Sequence, residues 1–135
     1  MLAPVTSSTD PREGRVLGGR YRVGKLLAKG GMGAVYEAEN VSIGRRVAVK
    51  VLHAHYAQDD DIVARFRREA MAATSVGNEH IIEVLDLGTD DDGSLFMVLE
   101  LLEGRDLGTA LKEDGALPVA KAISVAAQIC DALSA

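Results

Sequence analysis

The sequence of this chain predicts an α+β fold with a five-stranded antiparallel sheet, one helix beside it and further helices after it. Short apolar runs in the first 102 residues alternate with period two, and turn residues separate them. A glycine-rich turn joins the first two runs. A long amphipathic stretch of helical period interrupts the series before the last two runs. With 135 residues, the chain is long enough for one domain with a small core.

The first 19 residues differ in composition from everything that follows. They contain Pro4 and Pro11, several serines and threonines and three glycines, with no hydrophobic period. This composition is typical of a flexible leader, because such a segment cannot bury enough apolar surface to offset the entropy of ordering. We therefore expect residues 1–19 to be disordered.

The first two predicted strands, residues 21–29 and 34–40, meet at a turn that contains Gly30, Gly31 and Gly33. Glycines in such a turn permit positive φ and close approach to a ligand, so backbone N–H groups can lie over phosphates. A plain hairpin turn is the alternative interpretation. A P-loop is excluded because a strand, and not a helix opened by Lys-Ser/Thr, follows the glycines.

The third predicted strand covers residues 45–53 and carries a lysine between small and apolar residues. Alternation places Ala48, Lys50 and Leu52 on one face and the three intervening valines on the other. Ala48 would leave room for a flat ring, and Lys50 would reach a phosphate. The alternative is an edge lysine in water.

Residues 59–76 have the pattern of an amphipathic helix. Three aspartates stand at its start, where negative charge favours the helix macrodipole, and Gly77 follows its end. Glu69 interrupts the apolar stripe, and a carboxylate on a buried face is costly unless it is paired. It is therefore either the partner of a cation across the fold or an edge glutamate bonded to a neighbouring arginine.

Two further strands, residues 80–88 and 95–102, flank an acidic turn. The last stretch, residues 117–135, is almost wholly apolar. This composition predicts a helix that should be buried on nearly all sides. Five strands and one helix cannot surround it. We therefore expect the isolated chain to self-associate through this helix.

The glycine-rich stretch 27–36, the Val47-Ala48-Val49-Lys50 of the third strand and the helical glutamate resemble, in this order, the motifs of bacterial eukaryotic-like serine/threonine protein kinases. The family's first loop glycine falls on Ala28, which fits if its φ stays negative. The resemblance implies an ATP-binding N-terminal lobe over residues 20–102. Residues 103–135 would be the hinge exit and first helices of an incomplete C-terminal lobe, so the sequence looks truncated before the catalytic loop.

The resemblance also assigns roles to individual residues. Lys50 would hold the α- and β-phosphates of ATP, and Glu69 would hold Lys50, which makes them the catalytic candidates. The family's phosphate loop falls on Ala28, Gly30, Gly31 and Gly33, its ring-sandwiching residues on Leu27, Val35 and Ala48, its residue behind the adenine on Leu99, its adenine-bonding backbone on Glu100 and Leu102, and its ribose-contacting acid on Asp106.

Two short strings imitate the family's catalytic and metal-binding motifs without matching them. Arg105-Asp106-Leu107 lacks the preceding histidine, and Asp86-Leu87-Gly88 comes before the hinge and not after the catalytic loop. We therefore predict no metal ligands and no phosphoryl transfer by the chain alone. Mg²⁺ and a protein substrate belong to the complete kinase. The alternative function is a non-catalytic, pseudokinase-like interaction module.

Charge, hydropathy and cysteine content indicate which partners and which cellular compartment the sequence favours. A net charge of −5 argues against a nucleic-acid or anionic membrane partner, which would require clustered lysine and arginine. No apolar run in this segment approaches the roughly 20 residues that span a bilayer. The single Cys130 cannot form an internal disulfide and fits a reducing cytoplasm. The histidines show no metal-ligand spacing and are interpreted as surface or core residues.

Overall fold

The computed structural model describes residues 10–135, so residues 1–9 of the predicted leader lie outside the described part. The strands are β1 (Val16–Leu17), β2 (Tyr21–Lys29), β3 (Gly33–Asn40), β4 (Arg45–Leu52), β5 (Val84–Thr89) and β6 (Leu95–Glu100). The α-helices are α1 (Asp60–Val76), α2 (Leu107–Asp114) and α3 (Val119–Ser134), and a 3₁₀ turn, Ala54–Tyr56, follows β4.

The six described strands form one antiparallel sheet in the order β1-β2-β3-β4-β6-β5. Strands β2 to β6 are the five that the sequence predicts. β5 begins at Val84 and not at residue 80, because the Asn78 side chain accepts the His80 N–H at 2.8 Å. A side chain that satisfies backbone locally holds that backbone in a turn and out of the ladder.

β1 is the strand that the sequence analysis missed, and it lies within the predicted leader. Val16 pairs with Arg22 and Leu17 with Tyr21, and Leu17 is fully buried. Disorder is therefore wrong for the described part of the leader. A strand of two residues is too short to show a period, so only its burial against the sheet reveals it.

An acidic turn between β5 and β6 holds the segment around β1 in place. The Asp90 carboxylate accepts the Gly18 N–H at 3.1 Å and the Arg15 guanidinium at 3.0 Å. Asp90 is 8% exposed. A carboxylate this buried is tolerated because a charged partner and a backbone donor both satisfy it.

Both faces of β4 are buried, and they belong to different cores. Its three valines pack with Leu17, Tyr36 and Phe96 on one side of the sheet. Ala48 and Leu52 pack with Phe66 and Ala70 of α1 on the other side. This arrangement confirms the predicted alternation and places Lys50 on the α1 side.

The ends of α1 follow from side-chain and glycine chemistry. Asp59 is the N-cap, and its Oδ1 accepts the N–H groups of Asp61 and Ile62 at 3.1 Å each. Gly77 ends the helix with φ of +60°, a conformation that suits glycine. The helix therefore begins within one residue of the predicted start and ends at the predicted residue.

The helices after the sheet have no buried residue. Within the described chain the apolar residues of 117–135 are not buried, which confirms the expectation that the sheet and one helix cannot cover them. The large exposed side chains of α3 are Val119, Ile123, Ile129 and Leu133. A 2.9 Å hydrogen bond from Asn78 Nδ2 to Asp131 Oδ2 connects α3 to the segment between α1 and β5.

Across residues 10–135, no helix combines the length and apolar character that crossing a membrane requires.

Candidate functional site

The glycine-rich loop connects β2 to β3 and closes on itself through a 2.8 Å hydrogen bond from the Gly30 N–H to the Gly33 carbonyl. A Cβ on Gly33 would stand 2.3 Å from the Val51 carbonyl oxygen, so this position has no space for a side chain. The expected positive φ is wrong for the three loop glycines, because none of them has one. Close packing at Gly33, and not a left-handed turn, is what requires glycine here.

Ala28 fits the loop for the reason that the sequence suggested. Within residues 10–135, positive φ occurs only at glycines, so Ala28 keeps a negative φ. It pairs with Val35 across β2 and β3, next to a register shift.

A cavity of about 400 Å³ opens beneath this loop. It is lined by Ala28, Lys29, Gly30, Gly31, Met32, Gly33, Val35, Lys50 and Arg65. Three of these side chains are cationic, and the N–H groups of Gly31 and Met32 donate no hydrogen bond within the described chain. Free backbone donors and cations around one opening suit an anionic ligand.

Lys50 and Glu69 meet at the wall of this cavity. Lys50 Nζ lies 2.8 Å from Glu69 Oε1, and their side chains are 24% and 46% exposed. The predicted contact between the third-strand lysine and the helical glutamate is therefore confirmed. The alternative, a glutamate bonded to a neighbouring arginine of α1, does not occur among the described contacts.

Phe66 supports this pair from below. It is fully buried, and its ring centroid lies 5.9 Å from Lys50 Nζ. A cation over an aromatic face gains electrostatic attraction, and the rigid ring limits where the ammonium can move. The site is therefore coupled directly to the packing of α1.

The apolar residues predicted to lie around the adenine, by side chain or, for Leu102, by backbone, divide into two groups. Ala48 and Leu99 are cross-strand partners, and Val35 packs against the same core cluster. Leu27 and Leu102 lie outside that cluster and are 44% and 65% exposed. The first group thus forms one apolar surface.

The segment after β6 carries the remaining predicted residues. The Glu100 side chain accepts the Glu83 N–H at 2.9 Å, and its own N–H donates to the Glu83 carbonyl at 3.0 Å. The Leu102 N–H has no acceptor among residues 10–135. Of these two N–H groups, that of Leu102 is therefore the one available to a ligand.

Asp106 is the N-cap of α2. Its carboxylate accepts the Thr109 hydroxyl at 2.6 Å and the Thr109 N–H at 2.9 Å. These hydrogen bonds from Thr109 hold the pKa of the Asp106 carboxyl below its usual value. Its role at a ribose stays a prediction.

The two strings that imitate kinase motifs, at residues 86–88 and 105–107, make structural contacts in the fold. Asp86 accepts hydrogen bonds from Arg20 Nη2 and the Tyr21 hydroxyl, each at 2.7 Å. Burial is the largest cause that raises the pKa of the Tyr21 hydroxyl, and its hydrogen bond to Asp86 is the next. Arg105 forms ion pairs with Glu113 and Asp114 in α2.

Two residues at the site were missed by sequence reasoning. Arg65 lines the cavity, although its place among arginines suggested a solvated face; its spacing of four from Glu69 was the available indication. His53 was interpreted as a surface or core histidine, yet its Nε2 lies 3.1 Å from the Gly30 carbonyl oxygen. No motif marks a contact of this kind.

The protein kinase domain family model matches residues 21–135 of this chain. The chain belongs to the protein kinase domain family. It is 41% identical over 133 residues to the serine/threonine-protein kinase Pkn1 of Myxococcus xanthus, covering 98% of this chain and 19% of that protein. It is 36% identical over 121 residues to the serine/threonine-protein kinase PrkC of Bacillus subtilis, covering 90% of this chain and 18% of that protein.

The solved structure of the Mycobacterium tuberculosis PknI kinase domain is similar to the whole arrangement. The TM-score is 0.70 at 31% identity, and the match covers 90% of this chain and 49% of that domain. The fold is therefore a kinase N-terminal lobe with the start of a C-terminal lobe. The chain spans less than a fifth of the length of the two relatives named above and about half of the solved domain.

Proposed function

We propose that this chain is the ATP-binding portion of a serine/threonine protein kinase that, in its complete form, transfers phosphate from ATP to protein serine or threonine. The observation that carries the proposal is the 2.8 Å pair of Lys50 and Glu69 beside the cationic cavity under the glycine-rich loop. A lysine held by a carboxylate presents a fixed positive charge, which suits the phosphates of a nucleotide.

The residues of the cavity and the apolar surface next to it fit ATP. The loop donates N–H groups, Lys50 supplies charge to the α- and β-phosphates, and Glu69 orients Lys50. Ala48, Leu99 and Val35 give the adenine an apolar surface of small and branched side chains. The remaining proposed contacts are Leu27 at the ring, the backbone of Glu100 and Leu102 at the adenine edge, and Asp106 at the ribose.

The described residues do not fit a magnesium ion. Among residues 10–135, no group of three or more histidine, cysteine, aspartate or glutamate side chains is placed to hold a metal. Glu69 is already bonded to Lys50. Magnesium prefers several oxygen ligands, so we assign it no step here and expect the 135-residue chain to bind ATP without transferring phosphate.

Calorimetric titration of ATP and adenosine into the chain and its Lys50→Met variant tests the proposal. Loss of a charge-assisted contact should weaken ATP binding by about 10- to 100-fold and leave adenosine binding unchanged. Lys25→Met is the matched control, because Lys25 is 70% exposed and pairs with Glu37 on another part of the sheet. ATP binding that is absent, or equal in the two variants, would contradict the proposal.

A second function, a non-catalytic pseudokinase-like interaction module, is favoured by one observation. Four large apolar side chains of α3 are 50% to 82% exposed, which gives a surface suited to a protein partner: Val119, Ile123, Ile129 and Leu133. We propose that a second copy of the chain covers this surface when the chain is isolated. Wild-type chain that associates but fails to bind ATP would favour the module over the kinase.

For the kinase, we propose a protein substrate and a cytoplasmic location. The relatives named above are serine/threonine-protein kinases, whose substrates are proteins. Phosphate transfer to a generic basic protein by the pure 135-residue chain would contradict the assignment of an ATP-binding portion without transfer activity.

A further inference from the structure

His53 follows β4 directly, and its backbone is fixed on both sides. Its N–H donates to the Met32 carbonyl at 2.9 Å, and its carbonyl accepts the Tyr56 N–H at 2.9 Å. Leu52, the preceding residue, is 1% exposed in the core under α1. His53 is therefore a rigid point directly beside the glycine-rich loop.

The His53 side chain contacts the loop as well. Its Nε2 lies 3.1 Å from the Gly30 carbonyl oxygen. A carbonyl oxygen only accepts, so Nε2 carries the proton in this contact. The neighbouring His55 ring stacks on the His53 ring at 5.6 Å between centroids and 13° between planes.

Three carbonyls of the loop are engaged by hydrogen bonds. The Gly30 carbonyl accepts from His53 Nε2, and the Met32 carbonyl accepts from the His53 N–H. The Gly33 carbonyl accepts from the Gly30 N–H. The carbonyl and N–H of a trans peptide point in opposite directions, and no described peptide is cis. Holding the Gly30 carbonyl against His53 therefore turns the Gly31 N–H away from His53.

An unengaged carbonyl near a phosphate would repel it, whereas an N–H group attracts it. A flexible glycine loop samples both orientations of its peptides unless something selects one. His53 selects the orientation in which the Gly30 carbonyl is occupied and the Gly31 N–H is free.

We propose that His53 is a positioning residue of the nucleotide site, which orients the Gly30–Gly31 peptide so that the Gly31 N–H is presented to a phosphate of the ligand. The phosphate part of this inference rests on the proposed function, whereas the orientation of the peptide does not.

Three variants of the 135-residue chain test it. His53→Leu removes the donor, and His53→Gln keeps an N–H donor on a side chain of similar reach. His80→Leu is the control, because His80 lies between α1 and β5 and makes none of the loop contacts described above. The Gly31 amide signal in ¹H–¹⁵N spectra without ligand reports the peptide orientation. Calorimetry with ATP and with adenosine then separates phosphate contacts from ring contacts.

For His53→Leu we expect a shifted Gly31 amide signal, about fivefold weaker ATP binding and unchanged adenosine binding. His53→Gln should restore wild-type ATP binding, and His80→Leu should not depart from the wild type in either measurement. An unshifted Gly31 signal in His53→Leu, or equal losses for ATP and adenosine, would overturn the inference. If the wild type binds neither ligand while the Gly31 signal still shifts, the proposed function fails and the orienting role of His53 stands.

Discussion

The sheet with α1 and the two helices after it use apolar residues in opposite ways. Both faces of β4 are buried, and α1 buries Phe66 and Ala70 although six of its 17 residues are charged. α3 is far more apolar than α1, yet none of its residues is buried. Apolar composition alone does not place an element in a core; a complementary surface at the right position does.

The candidate site lies on the well-packed side of this division. The loop, Lys50 and Glu69 belong to the sheet and α1, whereas Leu102 and Asp106 belong to the exposed segment that follows β6. Most of the proposed nucleotide contacts are therefore built on the packed sheet and α1, and the contacts of Leu102 and Asp106 are not. The following predictions run from the largest expected effect on unfolding to the smallest.

Truncating the ring beneath the Lys50–Glu69 pair should have the largest effect. Phe66→Ala empties a fully buried site and should cost about 3–5 kcal/mol in the free energy of unfolding. Ile129→Ala on the exposed α3 should change it by less than about 0.5 kcal/mol. Urea unfolding followed by circular dichroism measures both, and Phe66→Leu provides a milder variant if Phe66→Ala does not fold. Equal costs at the two positions would abolish the contrast between the regions.

Removing the carboxylate that ties β1 to the β5–β6 turn should have an intermediate effect. Asp90→Ala leaves the Gly18 N–H and the Arg15 guanidinium without their acceptor and should cost about 1–3 kcal/mol. Asp91→Ala, at the exposed neighbouring position, is the control and should cost only a few tenths. The same urea titration applies, and a cost for Asp90→Ala no larger than the control's would show that this network does not stabilise the segment around β1.

Acid should loosen the first turn of α2. The pKa of Asp106 is lowered in the fold, so its stabilising cap is present above the usual aspartate pKa of about 3.9 and is lost as pH falls through the lower folded value. The Thr109 amide shift, followed by NMR as the pH falls, should report this loss. Asp106→Asn keeps a capping oxygen and should abolish the pH dependence. A Thr109 transition at or above the usual aspartate value would contradict the assigned cap.

Deleting residues 117–135 should have the smallest effect on unfolding of the sheet. None of these residues is buried in the described chain, so the unfolding midpoint of the sheet and α1 should stay the same. Light scattering should show less self-association, because the exposed apolar side chains are removed. A full-length monomer at high concentration, or a large fall in the midpoint, would mean that α3 is covered in a way that the described contacts do not include.

Much of the site could be predicted because local periodicity determines it. Alternation along β4 put Ala48 and Lys50 on one face, and helical spacing put Glu69 on the stripe of α1 that faces the sheet. These two periods place each charged side chain on its face, and the resemblance to the kinase family then pairs Lys50 with Glu69, as the structure does.

Other features depended on residues distant in the chain and only the tertiary structure decided them. β1 exists because Leu17 finds a core and Asp90 finds the Gly18 N–H, 72 positions away. His53 reaches the Gly30 carbonyl because β3 and β4 pair side by side, and a single contact of this kind leaves no period in a sequence. For α3 the sequence determined an apolar helix, but whether it is buried depends on what packs against it, since a helix carries its own hydrogen bonds but not its own core.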